Sequence, residues 1–207
     1  ARKLTTDKVS MQKKQLTTQC RPRLSLIYRF TIACLMMFSS LTSGVPNASK
    51  AQQIKAGLIF NFVHFSRWPD NTFAEQTTPY QLCLIGQNRY VDIFKRLDNR
   101  TVRGRKLQSR ELTLQADIQQ LQRCHILFFH QNCQPGTVEL LDKIATLPIL
   151  TISENNDCET PPLMINFVDN YDNIGFAIHR KPGKQAGITF SSRMLRLAVA
   201  VTGGRRP

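Results

Sequence analysis

The sequence predicts a single-domain α/β sandwich, with a largely parallel sheet, helices on both faces and an antiparallel hairpin near the C-terminus. Three observations carry this expectation. From residue 52 onward, short apolar runs of strand length alternate with stretches of helical period, and strands separated by helices build βαβ units with parallel pairing. "LMINFV" (163–168) and "NIGFAIH" (173–179) flank the turn-forming "DNYDN", the pattern of a hairpin. No internal repeat, low-complexity tract or Pro/Ser-rich linker divides residues 52–207, a length that suits one domain around one core.

Residues 1–51 read as a secretory signal and targeting segment outside the fold. A basic, polar stretch to Arg29 precedes the uncharged apolar block "FTIACLMMFSSLTSGV" (30–45), the order of the n-region and h-region of an export signal. The block is shorter than the ~20 apolar residues of a membrane-spanning helix and ends in small residues and Pro46. An uncleaved signal anchor is the alternative. Ser49 and Ala51 fit a small-x-small cleavage pattern, Ala48 offers a second site, and Met11 is a candidate initiator.

The domain from residue 52 begins with "QQIKAGLIFNFVHFSR" (52–67), where Ile54, Leu58, Phe62 and Phe65 recur at helical spacing, Ile59 and Val63 widen the stripe, and Pro69 stops the helix. "YQLCLIG" (80–86) is a core strand closed by Gly86, and "RYVDIFKRLDN" (89–99) an amphipathic helix. "RTVRGRKLQSREL" (100–112) is extended chain turning at Gly104, and "QADIQQLQR" (115–123) a polar helix. "CHILFFH" (124–130) is the strongest strand signal, "PGTVELLDKIAT" (135–146) opens with a Pro suited to a helix start, and "PILTISE" (148–154) is another strand. After the hairpin, "SSRMLRLAVAV" (191–201) starts on a Ser able to cap and continues as an apolar helix.

Charge and cysteines narrow the function classes. Residues 1–51 hold nine Lys or Arg and one Asp, so residues 52–207 keep 19 basic and 13 acidic side chains, a formal charge of +6 against +14 for the whole chain. The basic balance lies largely in the targeting segment, and no nucleic-acid partner is called for. Removing Cys20 and Cys34 leaves Cys83, Cys124, Cys133 and Cys158. An even number in an exported domain implies disulfides, with three pairings open. Cys133 and Cys158 each lie just beyond a strand that the layout makes parallel neighbours, which favours a Cys133–Cys158 bridge and leaves Cys83 for Cys124. The alternative for Cys83 and Cys124 is a pair of buried thiols.

Catalytic signatures are missing from the sequence. It contains no phosphate-cradling glycine loop, no G-x-S-x-G elbow and no H-E-x-x-H, so no enzyme, cofactor or metal is expected. A zinc site from Cys124, His125, His130 and Cys133 is the sharper alternative, but adjacent strand residues face opposite ways, so Cys124 and His125 do not easily share a metal. Asp169 and Asp172 lack the spacing of a calcium loop, and turn chemistry accounts for them. The run Arg100, Arg103, Arg105, Lys106 offers anion binding through Arg103 and Arg105, against a solvated hairpin tip. Phe60, Phe62 and Phe65 read as core, whereas the chain's one tryptophan, Trp68, held extended by Pro69, reads with Phe65 as an exposed aromatic tip for dimer or partner contact.

Taken in order, "AGLIFNFVHFSRWP" (56–69), "YQLCLIG", "RTVRGRKLQSREL", "CHILFFH", "PILTISE", "MINFV" (164–168) and "AGITFSSRMLRLA" (186–198) make the chain resemble the YfiR family of exported bacterial proteins. The resemblance implies a periplasmic repressor that binds the periplasmic domain of an inner-membrane diguanylate cyclase and so lowers cyclic di-GMP and biofilm formation. It implies a homodimer, release by an outer-membrane lipoprotein, and a first disulfide at Cys83 and Cys124. The family's second bridge joins two nearby cysteines after the fourth strand, where this chain has only Cys158, so the Cys133–Cys158 pairing is not carried over from it. The alternative function is a periplasmic small-molecule receptor feeding a membrane sensor.

Overall fold

A computed structural model of the chain describes residues 49–86, 90–130, 134–154, 163–170 and 173–203. The helices are α1 (Lys50–Phe65), α2 (Val91–Leu97), α3 (Ile118–Gln122), α4 (Thr137–Ile144), α5 (Arg180–Gln185) and α6 (Ser192–Leu197). The strands are β1 (Ser66–Arg67), β2 (Tyr80–Ile85), β3 (Thr101–Val102), β4 (Arg105–Leu112), β5 (Ile126–Phe129), β6 (Leu150–Ser153), β7 (Ile165–Asn170), β8 (Asn173–His179), β9 (Thr189–Phe190) and β10 (Ala200–Thr202). Eight of them form one sheet in the order β10-β8-β7-β6-β5-β2-β4-β3, and β1 and β9 form a separate two-stranded ribbon.

The sheet is parallel from β4 through β2, β5 and β6 to β7. Antiparallel pairing occurs at β3–β4 and in the β7–β8 hairpin. Because side chains alternate across a strand, the two sheet faces are supplied by neighbouring residues. Leu82 and Leu84 of β2 and Ile126 and Phe128 of β5 enter one core, together with Ile59, Phe62 and Val63 of α1, Phe94 of α2 and Met194 of α6. Cys83, Ile85, Leu127 and Phe129 enter the other, against Leu121 of α3 and Leu140 and Ile144 of α4. Strands buried on both faces read as continuous apolar runs, which is why "YQLCLIG" and "CHILFFH" stand out in the sequence.

Helix α1 starts on a capping box: the Gln52 N–H donates to Ser49 Oγ (3.2 Å), and the Ser49 N–H donates to Gln52 Oε1 (2.9 Å). The expected targeting segment, 1–51, therefore overlaps the cap and the first residues of the helix. The buried face of α1 is Lys55, Ala56, Ile59, Phe62 and Val63, whereas Ile54, placed on the apolar stripe by its spacing, is 44% exposed. A lysine takes the first inward position, for a reason that lies in the carboxyl-edge cluster described below.

Two further differences from expectation have local causes. The helix expected over 191–201 ends at Leu197, because Ala198 turns extended (ψ 138°) and residues 200–202 pair in parallel with β8 as an edge strand. The turn at Gly104 is a two-residue loop in which both Arg103 (φ 51°) and Gly104 (φ 79°) are left-handed, the conformation that matches the twist of a tight hairpin. Such a loop favours Asn-Gly, and an arginine at its first position is strained.

Candidate functional site

Parallel doubly wound sheets bind ligands outside the carboxyl ends of their strands, where strand order reverses. Here β2 is that place: the chain goes from β2 to β4 on one side and then to β5 on the other. Four polar groups converge beyond this edge. Glu154, just past β6, accepts at Oε1 a hydrogen bond from the Tyr90 hydroxyl (2.5 Å) and one from Lys55 Nζ of α1 (3.4 Å), while its Oε2 meets His130 Nδ1, just past β5. Tyr90 is fully buried and Lys55 is 5% exposed. The Lys55 ammonium also lies 5.7 Å from the centre of the Phe167 ring. A buried charge needs a partner of opposite sign and hydrogen bonds to its remaining atoms, and Glu154 supplies both. The cluster acts as a polar staple between α1 and the ends of β5 and β6.

A second polar site lies at the opposite, amino edge, because Tyr80 and Arg105 are the first residues of β2 and β4. A cavity of 320 Å³ opens there, lined by Arg67, Trp68, Pro69, Asp70, Phe73, Tyr80, Arg103 and Arg105. Arg103 NH1 donates to the Ser66 carbonyl (3.0 Å), and Arg105 NH1 donates to the carbonyls of Glu75 (2.6 Å) and Thr78 (2.9 Å). The Arg105 guanidinium stacks 4.0 Å from the centre of the Phe73 ring. Phe73 lies parallel to His125 at 4.6 Å and edge-on to Tyr80 at 5.1 Å. Burial pushes the Tyr80 hydroxyl pKa up, opposed by the charges of Arg103 and Arg105. Burial, with Arg105 and Arg110, pushes His125 down to about 4, and its Nδ1 accepts the Gln81 N–H (3.1 Å), a bond that only an unprotonated Nδ1 can make.

Trp68 is corrected by the structure: it is not an exposed aromatic tip. The extended segment and the 3₁₀ turn at Asp70–Thr72 fold the chain back, so the indole is only 9% exposed and packs 5.1 Å from Tyr80 and 6.4 Å from Phe73. Among the described residues, its buried Nε1–H has no acceptor. Phe65, its predicted companion, is half-buried at the end of α1, with His64 edge-on at 4.9 Å and the Arg193 guanidinium 5.6 Å from the ring centre. The two aromatics thus belong to different surroundings, one inside and one partly outside.

Cys83 of β2 and Cys124, just before β5, form a disulfide with Cα atoms 5.9 Å apart. Arg110 of β4 covers it, its Nε 3.3 Å from Cys83 Sγ and its NH2 3.4 Å from Cys124 Sγ, with NH2 also donating to the Gln120 carbonyl (2.8 Å). Burial and the neighbouring Arg123 lower the Arg110 pKa. As a disulfide sulfur, Cys124 is not available to a metal. Cys133 and Cys158, with the bridge proposed between them, lie outside the described residues, as does Asp172. A larger groove of 510 Å³ runs between α4 and the α5–β10 edge, past Leu141, Ile144, Met164 and His179.

The carboxyl-edge cluster was missed by sequence reasoning. Lys55 is a charge set on the inward face of a largely apolar helix, and Tyr90, His130 and Glu154 stand at the ends of apolar runs, where polar residues usually mark only a turn. Lys55 at an inward helical position was the available signal. The YfiR/HmsC-like family model matches residues 52–199 of the chain, and a search of curated proteins returned no match. The chain belongs to the YfiR/HmsC-like family.

Proposed function

We propose that this member of the YfiR/HmsC-like family is an exported regulatory binding protein that represses an inner-membrane diguanylate cyclase by contact with the cyclase's periplasmic domain, lowering cyclic di-GMP and biofilm formation. The observation that carries the reading is the family match over residues 52–199. The buried Cys83–Cys124 disulfide supports it, since such bonds persist in oxidising compartments such as the periplasm. Among the described residues, no helix is long and apolar enough to cross a membrane. Residues 1–51 act in this proposal as the export signal. A homodimer, contact through the half-buried Phe65, and release by an outer-membrane lipoprotein complete it.

The test is crosslinking and capture of the tagged, exported protein from membranes, with and without reductant, with captured proteins identified by mass spectrometry. Recovery of a membrane diguanylate cyclase under oxidising conditions, and its loss on reduction, is the expected result. Failure to recover any membrane protein with folded, abundant bait overturns it. A second reading, a small-molecule receptor feeding a membrane sensor, is favoured by one observation, the basic cavity at Trp68.

A further inference from the structure

The cavity at the amino edge carries more positive charge than its own surroundings neutralise. Arg67, Arg103 and Arg105 face a wall on which Asp70 is the one carboxylate. Among the described residues, none of the three guanidinium groups is paired with an acidic side chain. Among the described residues, Arg103 and Arg105 donate to backbone carbonyls alone, which are neutral acceptors and leave donors of each five-donor fork unused. Arginine forks match the geometry of carboxylate and phosphate oxygens.

Two further features mark the site as built. Arg103 is held in the left-handed region (φ 51°), where Asn or Gly would sit with less strain, and backbone strain of this kind collects at ligand clamps. The strained turn folds the guanidinium back onto the Ser66 carbonyl, beside Trp68. The indole itself is a buried wall residue that packs against Phe73 and Tyr80 and gives the cavity a fixed aromatic side.

We infer that this cavity binds a small oxyanion, a carboxylate or a phosphate group, held by Arg67, Arg103 and Arg105 against the Trp68–Phe73–Tyr80 wall. Its 320 Å³ lies at the lower end of small-ligand sites. The site is a property of this chain alone, so it stands whether or not the partner is a cyclase.

Trp68 is the chain's one tryptophan, so its fluorescence reports the site directly. The full chain is titrated with sodium phosphate and, separately, with sodium acetate, at ionic strength held constant with sodium chloride. The expected result is a saturable change in emission with at least one of the two anions, the responding anion identifying the group recognised. Arg103→Gln and Arg67→Gln should each weaken that response at least tenfold and threefold respectively, with unchanged circular dichroism. The Arg67 side chain is exposed and, among the described residues, is in no ion pair, so its variant keeps the test valid if Arg103→Gln disturbs the turn. No saturable change with either anion, or the same titration curve in Arg67→Gln as in the parent chain, overturns the inference.

Discussion

The two ends of the sheet solve the problem of polar burial in opposite ways. At the carboxyl edge, Lys55, Tyr90 and His130 all turn on the one Glu154 carboxylate, which gives the buried lysine a partner of opposite sign. At the amino edge, three arginines meet one carboxylate, and a cavity remains. Helix α1 connects the two, contributing Lys55 to the first, while the segment that follows it carries Arg67 and Trp68 into the second. The comparison teaches that position in the fold does not by itself make a binding site. The carboxyl edge is where ligands are expected in such sheets, yet here it is filled by the chain's own side chains, whereas the amino edge is left open with unspent donors.

The sharpest way to break the comparison is Glu154→Ala. It removes the acceptor shared by Tyr90, Lys55 and His130, and breaking a buried ion pair from one side costs roughly 3–5 kcal/mol. Urea unfolding should show a loss of that size, and a loss under 1 kcal/mol would reduce the cluster to a surface contact. Removing the disulfide by Cys83→Ala with Cys124→Ala comes next. The bond spans 41 residues, and loop closure of that length in the unfolded chain predicts about 4 kcal/mol, with typical measured values of 2–4. Unchanged stability under reductant would show that the bridge constrains nothing the fold lacks.

His125 gives a pH signature at the amino edge. Its folded-state pKa of about 4 lies below the ordinary 6.5, so the unfolded chain binds the proton more readily. The stabilisation is complete above pH 6.5, declines as pH falls from 6.5 towards 4, and is lost in full below about 4. The span corresponds to about 3 kcal/mol. Comparing urea midpoints of the parent chain and His125→Asn between pH 7 and 4 should show a steeper fall in the parent. Parallel curves would place the imidazole in water.

The smallest effect sharpens the contrast. Arg103→Asn relieves a strained backbone position but gives up the bond to the Ser66 carbonyl, so its stability should stay within about 1 kcal/mol of the parent while anion binding falls. A pocket residue that is dispensable for folding but not for binding is the opposite of Glu154.

Much of the architecture was legible. Alternation of strand and helix periods located β2, β5, β6 and the hairpin, because strands buried on both faces are apolar throughout and need no partner to be recognised. Pro69, Gly104 and Ser191 marked turns and a cap through backbone chemistry that is local. The exposed Ile54, the early end of α6 and the ribbon of β1 with β9 were not legible, since each depends on what lies across from it. Of the candidate site, Arg103 and Arg105 could be singled out by charge around a glycine turn. Trp68 was placed on the wrong side of the surface, because an aromatic residue before a proline has the same sequence signature whether the chain beyond folds back over it or leads away.

By itself, then, the sequence determined the longer elements, the layered α/β class and the residues with chemical capacity, because helix period, strand alternation and turn preference act over a few neighbouring residues. Only the tertiary structure decided which capacities meet. His130 and Glu154 are 24 positions apart and Arg103 and Ser66 are 37 apart; the first pair is joined by the neighbouring strands β5 and β6, the second by the packing of the β3–β4 turn against the separate β1–β9 ribbon. Those depend on the packing of the whole core, and no local pattern encodes them.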